Sequence, residues 1–140
     1  MTTIEISHFN DFLAIARRQS EPQQLLMVFT RRELPQGCTP EQEALFNEGS
    51  GGHLAPVVCV DKAPTAFSDF QTLKNESHQT VQNWDVVFIA ALPARNGKAP
   101  VKTAIDEMLD VMVEQIKNGR TSAYLAFDAQ GEPLQLTSAG

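Results

Sequence analysis

The run Val86-Val-Phe-Ile-Ala-Ala-Leu92, entered through Trp84-Asp85 and stopped by Pro93, constrains this chain more than any other stretch. Val, Phe and Ile favour extended backbone, and so short an uninterrupted apolar run reads as a strand rather than a globular helix. A strand that is apolar on both sides must be covered on both, as in the middle of a largely parallel sheet. The rest of the chain is read around that strand.

Ser7 can cap a helix predicted over about 8–19, in which Phe9, Phe12, Leu13 and Ala16 recur at helical spacing. Arg17 and Arg18 then lie near the negative end of its dipole. Pro22 breaks this helix, and Leu25 to Phe29 reads as a short buried strand. Thr39, with Pro40 at the first helical position and Gln42 at the capping-box site, opens a short second helix ending near Gly49. Leu54 to Val60, interrupted by Pro56, is the next strand, and Thr65 can cap a third helix carrying Phe67, Phe70 and Leu73.

The fourth helix has the strongest pattern. Ile105, Met108, Leu109, Met112 and Ile116 form one apolar stripe, and Asn118-Gly119 supplies the stop. Ser122 to Phe127 is a further strand, and Glu132 to Leu136 can pair back on it as a hairpin, with Pro133 suited to an edge. Helix and strand alternate, which predicts an α/β fold: three layers, a mostly parallel four-stranded sheet with helices on both faces, and a C-terminal antiparallel hairpin strand. One domain over 1–140 is expected, large enough to bury a core without a metal or disulfide staple.

A net charge of −6 argues against a nonspecific nucleic-acid binder or an anionic-membrane binder, since counterion release needs a basic face. The first residues, Met1-Thr-Thr-Ile-Glu-Ile, lack the regions of a secretion signal, and no apolar run approaches the ~20 residues that span a bilayer. Cys38 and Cys59 stand apart with no CxxC, so a cytoplasmic protein with reduced thiols is expected.

Gly49-Ser-Gly-Gly52 is not ordered as a phosphate loop, because the glycines follow a helix and precede a strand. They read as a helix end and a turn. His8, His53 and His78 match no metal-ligand spacing, and no metal or cofactor is expected. Cys38 stands just before a helix N-terminus, where the dipole can favour thiolate, but no pattern supplies its acid–base partner. Cys59, among Val57, Val58 and Val60, reads as core.

Two surfaces stand out. In an open parallel sheet, ligands bind beyond the carboxyl ends of the strands. Arg31, Arg32, Lys62, Arg95 and Lys98 follow those predicted ends and would form a basic crest suited to a small anion or an acidic protein patch. Asp106, Asp110 and Glu114 repeat at i, i+4 and i+8 on the fourth helix, a like-charge stripe that a basic partner would relieve.

Gln24 to Thr30, His53 to Lys62, Asn83 to Leu92 and Phe127 to Pro133 together resemble a family of short bacterial proteins often labelled ribonucleotide reductase subunit alpha. The resemblance covers most of the chain and implies no site residues. The label as an activity fails on chemistry: that large subunit is a long barrel enzyme with a radical cysteine, a redox cysteine pair and further thiols. This chain has 140 residues and two cysteines.

The leading expectation is a non-enzymatic binding or regulatory domain that meets a protein partner or a small anion through the crest or the acidic helix face. The alternative is a small enzyme acting on a phosphorylated or carboxylated metabolite, with His53 or Cys38 as the reactive group. A third reading is self-association through the edge of the Glu132 to Leu136 hairpin.

Overall fold

The structure, a computed structural model, describes residues 6–19, 23–34, 37, 39–47, 53–80, 83–94 and 97–134. Its elements in chain order are α1 (Phe9–Arg17), β1 (Gln23–Glu33), α2 (Pro40–Asn47), β2 (His53–Lys62), α3 (Phe70–Thr80), β3 (Val86–Pro93), α4 (Lys102–Lys117), β4 (Leu125–Asp128) and β5 (Pro133–Leu134). The strands form one sheet in the order β2-β1-β3-β4-β5, and every neighbouring pair is antiparallel.

This overturns the expected mostly parallel, four-stranded sheet. The physical reason lies in the connections. A parallel crossover must carry the chain back along the whole preceding strand. Helix α2 has 8 residues and spans only about 12 Å, whereas the 11 residues of β1 extend about 36 Å. The chain re-enters the sheet with His53 beside Glu33, and β2 runs back against β1. The α3 connection does return the chain along β2, but across β1, so β3 is parallel to β2 without being its neighbour. Helix α4 travels sideways instead. Its first turn feels Asp61 of β2 through Lys102, and near its end Gln115 accepts a hydrogen bond from the hydroxyl of Tyr124, just before β4.

Strand β1 is buried without interruption from Leu25 to Thr30, and its alternate side chains define two cores. Leu25, Met27 and Phe29 pack with Val87, Ile89 and Phe127 against Phe9, Phe12 and Leu13 of α1 and Phe70 and Leu73 of α3. Leu26 and Val28 pack with Phe88 and Ala126 against Ile105, Met112 and Ile116 of α4. Phe9 is the hub of the first core, with ring centroids 5.2 Å from both Phe70 and Phe127. The expected apolar strand is thus β3, beside β1, and its Val86 to Ile89 half is fully covered.

Local signals explain the helix ends. His8, not Ser7, caps α1: its Nδ1 accepts the Asn10 N–H at 3.1 Å, while Ser7 gives its N–H and hydroxyl to Asp11. The capping box of α2 is present, with Thr39 N–H on Gln42 Oε1 and Gln42 N–H on Thr39 Oγ1. Helix α3 starts at Phe70 rather than near Thr65, because Asp69 accepts the Thr72 N–H and hydroxyl and sets the first turn there. The chain before it is held irregular by Arg17, whose guanidinium donates to the carbonyls of Pro64, Phe67 and Ser68. Helix α4 stops where predicted: Gly119 has φ +73, and the N–H groups of Gly119 and Arg120 reach back to the carbonyls of Ile116 and Gln115.

Candidate functional site

The antiparallel sheet dismantles the basic crest. Arg31 and Arg32 stand opposite Ala55 and Leu54, near the amino end of β2, whereas Lys62 stands opposite Leu25 at the other end of β1. Six residues of strand, roughly 20 Å, separate the two groups. The side chains of Arg31 and Lys62 and the backbone of Arg32 are also engaged. Arg31 donates through Nε and Nη2 to the carbonyl of Asn83 at 3.0 and 2.9 Å, and the Arg32 N–H is taken by Asp85 at 2.8 Å. Lys62 is bridged to Glu76 at 2.8 Å. Lys98 is exposed in the connection that follows β3, on the Lys62 side, and Arg95 lies outside the described residues. The crest required all strand ends to point one way, and in this sheet they alternate.

The acidic stripe survives as a surface. Asp106, Asp110 and Glu114 are all exposed, and Lys102 pairs with Asp106 at 2.9 Å, one turn away. The hydrogen bond and charge of Asp106, with a smaller contribution from Asp61, hold the Lys102 ammonium above its usual pKa. Partial desolvation, with the Asp110 charge second, pushes the Cys59 thiol up. These couplings place the acidic flank of α4 beside Cys59 and Asp61 of β2.

Strand β2 ends the sheet, and no described strand pairs with its outer side. Its pairing with β1 breaks between Phe29 and Thr30, where Val57 has no partner and Pro56 stands opposite Thr30. A proline and a bulge are what an edge strand tolerates. This position also corrects the reading of Cys59 as core. Its neighbours Val58 and Val60 face the α1–α3 core, while Cys59 points to the other side at the sheet margin and is exposed.

Among the described residues the three histidines stand apart. His53 is exposed at the start of β2 opposite Glu33, His78 is exposed on α3, and His8 is consumed in the α1 cap and a bond to the Gln130 carbonyl. Cys38 and Gly49 to Gly52 lie outside the described residues. Cys59, with its thiol pushed up, is the opposite of an activated nucleophile. Among the described residues no group of three or more His, Cys, Asp and Glu side chains could hold a metal. No helix among them is long and apolar enough to cross a membrane.

Two hollows were not legible in the sequence. One, of about 500 Å³, opens where β4 begins at Leu125 while β3 runs on to Pro93. Phe12, Ala91, Met108, Val111 and Leu125 line it, with no charged side chain among its walls. The other, of about 210 Å³, lies between β2 and α3 and carries the Lys62–Glu76 pair at its wall. Lys62, a member of the expected crest, stands on its wall.

Comparison with family models, with curated proteins and with solved structures finds no match to this chain.

Proposed function

We propose that this chain is a non-enzymatic, cytoplasmic protein-binding domain that takes an extended, basic segment of a partner protein along β2. The observation that carries the reading is the outer edge of the 10-residue β2, where the backbone groups of alternate residues turn away from β1 with no described strand beside them. Such an edge accepts an added strand through main-chain hydrogen bonds, with alternate side chains supplying selectivity. Half the side chains of an added strand would lie on the α4 side, towards Asp61, Asp106 and Asp110. Lysine or arginine at alternate positions meets those carboxylates, and acidic segments are repelled.

A fluorescent peptide alternating Lys with Val tests this by anisotropy, with a Glu–Val peptide as control. Saturable binding of the basic peptide is expected, weakening steeply from low to physiological salt. Asp106→Asn with Asp110→Asn should weaken it several-fold, and amide hydrogen exchange should slow along β2. Equal binding of the acidic peptide, or protection elsewhere than β2, would remove the proposal.

A further inference from the structure

We infer that the hollow between α3 and β2 binds a free aliphatic α-amino acid, side chain inward and zwitterionic head at the mouth. Its floor is apolar: Phe29 and Leu73 are fully buried, and Val58 and Val60 are partly buried against the same core. Its mouth is a pair of opposite charges, the Lys62 ammonium 2.8 Å from the Glu76 carboxylate, with side chains 26% and 43% exposed. Ser77 also borders the hollow, but its proton is committed: the hydroxyl donates to the Lys74 carbonyl at 2.6 Å and accepts the Trp84 indole N–H at 2.8 Å. Among the described residues of the lining, the charged side chains are one cation and one anion, side by side.

That pairing selects the ligand. A fatty carboxylate could pair with Lys62 but would set its charge against Glu76, and an alkylamine has the reverse problem. A zwitterion satisfies both: its carboxylate meets Lys62, its ammonium meets Glu76, and two ion pairs replace one. Opening the bridge costs little, because an ion pair this exposed is weakly held. The hollow, about 210 Å³ against the roughly 300 Å³ and upward of drug-sized pockets, suits an aliphatic side chain such as that of leucine or methionine. The uncharged walls of the larger hollow beside β3 offer no such head group recognition.

The inference stands apart from the β2-edge reading, since Val58, Val60 and Lys62 face α3 while Asp61 and Cys59 face α4, so either can fail alone. The test is calorimetric titration of the full chain with L-leucine, L-methionine, L-glutamate, hexanoate and 1-aminohexane. Leucine or methionine should bind saturably, and the other three at least tenfold more weakly. Lys62→Met and Glu76→Gln should each cost about tenfold or more, the scale of a lost hydrogen bond to a charged group. Val60→Phe, which fills the floor, should abolish binding; the two mouth variants leave the cavity intact and remain decisive if that variant fails to fold. Binding of hexanoate or 1-aminohexane as tight as that of leucine would overturn the assignment. So would leucine binding untouched by the mouth variants, or no binding of either aliphatic amino acid.

Discussion

At the scale of single residues, Gly131 and His8 hold the first helix against the last turn of the sheet. Gly131 has φ +83, and a Cβ built on it would stand 2.5 Å from Nε2 and 2.7 Å from Cε1 of His8. The ring cannot simply move aside. Its Nδ1 accepts the Asn10 N–H, so Nε2 carries the proton and meets the Gln130 carbonyl at 2.9 Å, while Phe9 N–H binds the Gly131 carbonyl at 2.7 Å. Gly131→Ala combines a left-handed backbone, about 1–2 kcal/mol, with the loss of a hydrogen bond worth about 1 kcal/mol. A total of about 2–3 kcal/mol is expected from urea midpoints. In a His8→Ala background the same change should cost less, keeping the backbone part and a tight 3.0 Å approach to Phe70 Cδ2; an equal cost in both backgrounds would show that the His8 ring is not what Gly131 makes room for. The sequence pointed to Ser7 as the cap. It could not show His8 reaching a turn over a hundred residues away, because that contact is made only when β4 folds back.

At the scale of elements, the patterns that depend on neighbours along the chain were legible and those set by distant partners were not. The α4 stripe, the α2 capping box and the glycine stop after α4 need only residues within one turn or two, and all three are seen. The start of α3 is different. Its displacement from Thr65 to Phe70 depends on Arg17 bonding carbonyls some fifty residues away. The other end of α3 is fastened to the sheet by Trp84, which is 5% exposed, stacks edge-on to Phe29 at 4.9 Å, and gives its N–H to Ser77 at 2.8 Å. Trp84→Phe removes that donor and part of a packed ring, so a loss of about 2–3 kcal/mol is expected. A double-mutant cycle with Ser77→Ala should return a coupling of about 1 kcal/mol. Additivity of the two substitutions would mean that ring packing alone holds α3.

At the scale of the whole molecule, the apolar run in β3 is buried on both faces over Val86 to Ile89 only, and the run carries no information on strand direction. Direction follows from where each connection delivers the chain. Helix α3 returns it along β2 but across β1, so β2 and β3 are parallel without being neighbours. The α2 and α4 connections set the next strand back against the one before, and the sheet, with the basic crest, differs from expectation. The same architecture sets the acid stability. Two exposed carboxylates organise helix starts on the α1–α3 side: Asp11 is held below the usual 3.8 chiefly by the Ser7 backbone N–H, and Asp69 chiefly by that of Thr72. A carboxylate with a folded-state pKa below its unfolded one binds fewer protons in the native state. Its stabilisation is therefore complete above about pH 4 and is lost as pH falls through the folded value. Urea midpoints should hold between neutrality and about pH 5 as far as these two groups are concerned, then fall below pH 4. Asp11→Asn with Asp69→Asn should lower the neutral plateau and flatten that acid limb, because the amides keep the shape but neither titrate nor draw the N–H groups as strongly. An acid limb of unchanged slope in the double variant would place the proton uptake on other carboxylates, and the two helix starts would then not be what fails first in acid.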